Sequence, residues 1–161
     1  MAANKHIPHL YVIPEDDANR QMAVGFEKDD RIRARAIQIV APAGGWVKAL
    51  EKLEVDYFTL LRSNQNSHVL VLIDCDAKSD RINNAFAKVP SEIKERVFIL
   101  GTLNEPEVLK KSLNTPLEKI GELIIEECFD ANQKIWQHEQ LKHNATEVAR
   151  LKSVLFNIVF Q

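Results

Sequence analysis

Cysteine is scarce in this sequence: Cys75 and Cys128 are the two in 161 residues. That excludes a disulfide scaffold and the paired-cysteine spacing of a structural zinc site, and it points to a reducing cytosol. Glycine (5) and proline (6) are also few, which excludes collagen-like and low-complexity chains. No window approaches the ~18 consecutive apolar residues of a membrane-spanning helix. The polar segment Met1–Lys5 runs into strand-like residues without the apolar stretch of a signal peptide, so we expect a cytoplasmic protein. An excess of either charge is missing too: 21 Lys and Arg oppose 23 Asp and Glu, for a net charge of −2. A nucleic-acid binder working by electrostatics alone is usually basic, so action on nucleic acid would need a divalent cation or a partner. No Gly-x-x-x-x-Gly-Lys-Ser/Thr loop occurs, so any ATPase is expected to be a separate subunit.

What remains is 45% apolar and 27% charged, enough to bury one core, and we expect a single domain over 1–161. Short apolar runs alternate with longer amphipathic ones. Strand-like runs are His9–Pro14, Ile37–Ala41, His68–Ile73 and Arg96–Leu100, the last stopped at Gly101. The third has no polar alternation, as in a central parallel strand buried on both faces. Between the runs the spacing predicts a helix capped by Asp16 or Asp17 and reaching about Asp30. One long helix follows with Trp46, Leu50, Leu53, Tyr57 and Leu61 on one face, then another from about Ser79 to Lys88. Beyond Gly101 the chain reads as helical. Thr115–Glu118 and Asn144–Glu147 have capping-box spacing, and a further helix is expected to carry Ile135 and Leu141. The order βαβαβαβ implies an α/β fold with a parallel sheet and right-handed crossovers.

Such sheets place their chemistry outside the carboxyl ends of the strands. Those ends carry Glu15, Asp16 and Asp17; Gly44 and Gly45; Asp74 and Asp76; and Thr102, Asn104, Glu105 and Glu107. Three of the four ends are acidic. Gathering carboxylates is costly unless a cation neutralises them, and an all-oxygen set suits Mg²⁺ or Mn²⁺. Asp16 and Asp17 also read as helix caps, Gly44-Gly45 as a tight turn or a backbone anion nest, and Asn104–Glu107 as a capping box. Asp74, ending the most apolar strand, has no comparable structural role.

A Glu after the first strand, a Gly-containing turn after the second and Asp-x-Asp after the third together resemble the Toprim domain. That domain is found in topoisomerases, bacterial primases, RecR-type repair proteins and the overcoming-lysogenization-defect nucleases. The pattern here is Glu15, Gly44-Gly45 and Asp74-Cys75-Asp76, and 8–112 looks like the core, with 113–161 a helical extension. The segment Phe98–Glu107 is similar to the Glu-x-Glu region of the overcoming-lysogenization-defect nucleases. The sequence departs from the family at Asp16, where Gly is usual, and at Asn19, where an acid is usual.

The resemblance implies a Rossmann-like Toprim fold with strand order 2-1-3-4 and a metal-dependent nuclease activity, in a bacterial defence or DNA-maintenance complex. Glu15, Asp74 and Asp76 would be catalytic and bind metal, Glu105 and Glu107 would hold a second ion, Lys142 would stabilise phosphate charge, and Gly44 and Gly45 would line the site. DNA is favoured over RNA as substrate. Topoisomerase activity lacks a suitable tyrosine, since Tyr11 and Tyr57 lie on core elements, and RecR-type zinc cysteines are missing. A non-catalytic Toprim-like binding module is the alternative. A phosphorelay receiver would also use Glu15–Asp17, Asp74 and Thr102, but no fifth strand with its lysine is found. A haloacid dehalogenase-like phosphatase would carry Thr or Val where Lys78 stands. The terminal stripe Val148, Leu151, Leu155, Ile158 and Val159, with Val154, Phe156 and Phe160 beside it, predicts a helix either sandwiched within the monomer or, the reading we favour, making an oligomer or hetero-complex contact, with a strand-like ending over 156–160 as the alternative.

Overall fold

A computed structural model describes residues 6–78, 80–130 and 134–159. Four parallel strands form one sheet in the order β2-β1-β3-β4: β1 His9–Pro14, β2 Ile37–Ile39, β3 Ser67–Asp74 and β4 Val97–Thr102. Register pairs Leu10 with Ile37 and with His68, and Asp74 with Thr102, so β1, β3 and β4 end near one level. β3 is one of the two inner strands and is buried along nearly its whole length, as its unbroken apolar run predicts.

Alternation along the strands splits the core in two. Leu10, Val12, Leu70, Leu72, Phe98 and Leu100 face α1 (Asp17–Phe26), α5 (Pro106–Leu113), α6 (Leu117–Glu127) and α7 (Ala145–Val159). Ile13, Val69, Val71, Ile73, Val97 and Ile99 face α2 (Trp46–Lys52), α3 (Phe58–Ser63) and α4 (Asp80–Phe86). Among the described residues no helix is long and apolar enough to cross a membrane.

Several elements differ from their sequence reading for identifiable reasons. α1 ends at Phe26 rather than near Asp30 because the chain turns sharply after Gly25, where α1 meets α6. A Cβ on Gly25 would stand 1.9 Å from the Glu118 carbonyl oxygen, and one on Gly121 would stand 1.8 Å from that of Met22. The two glycines let the backbones touch. The expected long helix over 46–61 is interrupted by a π-helical segment, Leu53–Tyr57. Across 46–61 the buried residues Ala49, Leu53, Tyr57 and Leu61 recur every four positions. On a 3.6-residue helix that repeat drifts by about 40° per step, and a wider turn takes up the drift. β2 is shorter than expected, and β4 runs through Gly101 to Thr102.

The C-terminal extension departs most. Ile135 and Leu141 are not on a helix; short 3₁₀ turns at Ile135–Gln137 and Lys142–Asn144 stand there instead. The Thr115 hydroxyl donates to the Leu113 carbonyl, and Pro116 itself caps α6, so no capping box forms. Asn144 and Glu147 also form none, because both side chains serve the outer edge of β4. Asn144 accepts the Gly101 N–H at 3.0 Å and donates to the Gly101 carbonyl at 2.8 Å; Glu147 accepts the Ile99 N–H at 3.0 Å. Arg150 donates to the Val97 carbonyl at 2.9 Å, and Gln140 accepts the N–H groups of Leu103 and Asn104. Residues 140, 144, 147 and 150 thus satisfy the unpaired edge that a fifth strand would otherwise claim.

The stripe Val148, Leu151, Leu155, Ile158 and Val159 is buried within its own chain. The strand-like alternative is overturned for residues 156–159, which are helical, and Phe160 lies outside the described residues. Phe156 is exposed and meets Phe129 edge-on.

Candidate active site at the carboxyl ends of the strands

Glu15 and Asp74 are brought together because β1 and β3 are neighbours, while Asp76, two residues past the end of β3, is turned to Arg81. Glu15 follows β1 and turns its carboxylate toward β3, where Oε2 accepts the Asp74 backbone N–H at 2.5 Å. Asp74 is the last residue of β3 and is only 8% exposed. Its Oδ1 accepts from Asn19 Nδ2 at 2.9 Å. The same amide nitrogen bonds Asp16 Oδ1 at 3.0 Å, and Asp16 caps α1 by accepting the Asn19 N–H. Asp16 is therefore an N-cap tied to Asp74 through Asn19, while Asp17 is exposed and bound to Arg20 and Gln21.

The loop after β3 is strained. Asp76 and Ala77 both have positive φ, 47° and 61°, conformations unusual outside glycine. Backbone bonds from Cys75 to Thr102 and from Ala77 to Leu103 hold the loop against the end of β4. Arg81, in the first turn of α4, completes the clamp. Its guanidinium donates to the Asp74 carbonyl at 2.7 Å and to Asp76 Oδ2 at 3.0 Å, and it lies 4.4 Å over the Trp46 ring.

Electrostatics follow from this packing. Burial raises the Asp74 carboxyl to about 7, against the Asn19 hydrogen bond and reinforced by Glu15, Asp16 and Glu107. Burial also raises Glu15, opposed by the Asp74 N–H and reinforced by Asp16 and Asp76. Cys75 is buried and its thiol is pushed up to about 11, so it is not a nucleophile at neutral pH.

The other candidates are placed less centrally. Glu105 is the N-cap residue of α5 and Glu107 lies in its first turn; both are exposed, and the Glu105 side chain makes no capping bond. Asn104–Glu107 is therefore not a capping box. Of the two, Glu107 acts on Asp74 through its charge. Lys142 is exposed and pairs with Glu139 at 2.9 Å. Gly44 and Gly45 have the positive φ their turn demands, 91° and 138°, and both N–H groups point to the Glu15 carbonyl, at 2.9 and 3.2 Å. That turn fixes the Glu15 backbone, and those two donors are spent there rather than turned toward an anion. Among the described residues, no group of three or more His, Cys, Asp or Glu side chains is placed to hold a metal ion together.

Sequence reasoning missed Arg81 and undervalued Asn19. Arg81 sits among polar helix residues and reads as solvated. Asn19 stands out only as a neutral residue four positions past Glu15, facing what turned out to be two carboxylates. No family model, curated protein or solved structure matches this chain.

Proposed function

We propose that this protein is a Toprim-type, metal-dependent phosphodiester hydrolase acting on nucleic acid, with DNA the favoured substrate. The observation that carries the reading is the pairing of Glu15 and Asp74 at adjacent strand ends, both carboxyls raised, beside a strained acidic loop. Perturbed carboxylates concentrated where an α/β sheet binds its ligands are the expected mark of such a site.

The chemistry of the donor set, rather than a gathered cage, supports Mg²⁺ or Mn²⁺. The set is all oxygen, and one oxygen each of Glu15, Asp74 and Asp76 is spent on a protein donor. Mg²⁺ commonly takes one or two carboxylates and keeps several waters, so a three-residue cage is not required. Asp74 and Glu15 would hold the ion, which when bound would neutralise charge on a scissile phosphate and favour ionisation of water. Glu15, with its raised carboxyl, is also suited to take a proton from an attacking water. Asn19 orients Asp74, and Arg81 fixes the loop that presents Asp76. Glu107, and Glu105 beyond it, would serve a second ion on the rim. With a net charge of −2, stable engagement of nucleic acid would rest on the cation or on a partner such as a separate ATPase subunit.

The Arg81–Asp76 ion pair favours one competing reading, a non-catalytic binding module, because it neutralises a carboxylate that a nuclease would commit to metal. Cleavage assays with Mg²⁺ and Mn²⁺ on circular DNA, linear DNA and RNA, with Asp74→Ala alongside, separate the two. Metal-dependent cleavage lost in Asp74→Ala supports the hydrolase. Binding without cleavage on any substrate supports the module.

A further inference from the structure

The geometry points to a binding site for one internal water molecule behind Asp74, held by Asn19 Oδ1, Thr102 Oγ1 and Trp136 Nε1. These three atoms are buried and have no hydrogen-bond partner within the protein. Their residues are among those around one small cavity of about 20 Å³, whose wall is mostly apolar, Phe26, Leu72 and Leu100 included, with the three polar groups at its margin. A cavity needs roughly 10–15 Å³ by this measure to hold a water, and a buried water typically makes two to four hydrogen bonds.

The chemistry of the three groups matches one water. The Asn19 amide has its orientation forced, since its nitrogen faces the Asp16 and Asp74 carboxylates. Reversing it would set a carbonyl oxygen against both. Oδ1 therefore needs a donor. The Trp136 indole is a donor only and needs an acceptor, and the Thr102 hydroxyl can do either. A water accepts from Trp136, donates to Asn19 and exchanges a bond with Thr102, leaving no group unmatched. Left unpaired, each would cost a full desolvation penalty, which folded proteins rarely tolerate three times in one cavity.

The site joins three parts of the chain: α1 through Asn19, β4 through Thr102 and the C-terminal extension through Trp136. Thr102 pairs with Asp74 across the sheet, and Asn19 bonds it directly, so the water fixes the amide that positions the carboxylate. This site does not depend on the proposed catalysis.

Two measurements on the intact chain test it. In ¹⁵N-labelled protein, the Trp136 indole proton, assigned by its loss in Trp136→Phe, should show a cross-relaxation peak to water with the sign of a long-lived bound molecule. Absence of that peak overturns the site. Thr102→Val keeps the shape of the side chain and gives a sign test. If a water is bound, the change strips it of a partner and Tm falls by roughly 2–4 °C. If the cavity is dry, the change removes an unpaired hydroxyl, and Tm stays level or rises; either result overturns the proposal.

Discussion

The carboxylate of Glu15 accepts the backbone N–H of Asp74, 59 residues away in sequence, at 2.5 Å. The bond ties the end of β1 to the end of β3 and sets two acidic side chains beside each other at the carboxyl ends of these strands. Three further expectations rest on this arrangement or on the elements that frame it, and a fourth concerns the surface of α7.

Asp74 makes the fold less stable at neutral pH. Its folded carboxyl lies near 7, above the ordinary 3.8, because it is buried. The folded protein thus holds that proton more tightly than the unfolded chain. Its stabilising contribution is complete below about pH 4 and is lost as pH rises to 7. Glu15, also raised, acts in the same direction. Asp74→Asn should therefore raise Tm by about 3–6 °C at pH 8 and change it little at pH 4. Calorimetry at the two pH values checks this, and a lower Tm at pH 8 would contradict it.

If a divalent cation binds these carboxylates, it stabilises the folded state by linkage. Millimolar Mn²⁺ or Mg²⁺ should raise the Tm of the wild type and leave Asp74→Ala unmoved. Thermal scans with and without metal decide; equal shifts in both proteins would place any bound ion elsewhere.

The crossing of α1 and α6 should be intolerant of any side chain at Gly25 or Gly121. A methyl group at either would overlap a carbonyl oxygen of the other helix, at 1.9 and 1.8 Å. Gly25→Ala and Gly121→Ala should each cost more than about 3 kcal/mol, since backbone on both sides must move. Urea titration measures the loss, and a change below 1 kcal/mol would mean the helices separate easily.

Phe156 is the large apolar side chain that α7 leaves exposed. We expect self-association or a protein partner to engage it, and Phe156→Asp to abolish that contact while keeping the monomer folded. Sedimentation of both proteins at high concentration, with a matched pull-down, tests the surface. A wild type that stays monomeric and captures nothing through this helix would remove it as an interface.

Much of this molecule could be read from local pattern. The unbroken apolar run of β3 marked an inner strand, and the alternation of strands and helices implied a parallel sheet. The strand order followed from the Toprim resemblance rather than from any residue. Acidic residues at the ends of the first and third strands made Glu15 and Asp74 candidates, because charge at the end of a buried strand is visible in one dimension, and the structure sets those two side by side.

Only the tertiary structure decided the rest, since these roles depend on partners far along the chain. Asn144 and Glu147 have helix-capping spacing, yet β4 supplies backbone groups that would otherwise go unpaired, and their side chains turn there. Gly25 and Gly121 are ordinary helix glycines until the two helices cross. Arg81 looks solvated until α4 packs beside β4 and the guanidinium meets the Trp46 ring and the Asp74 carbonyl. Sequence determined which segments are buried and where charge accumulates. Three-dimensional packing decided which polar group each of those charges meets.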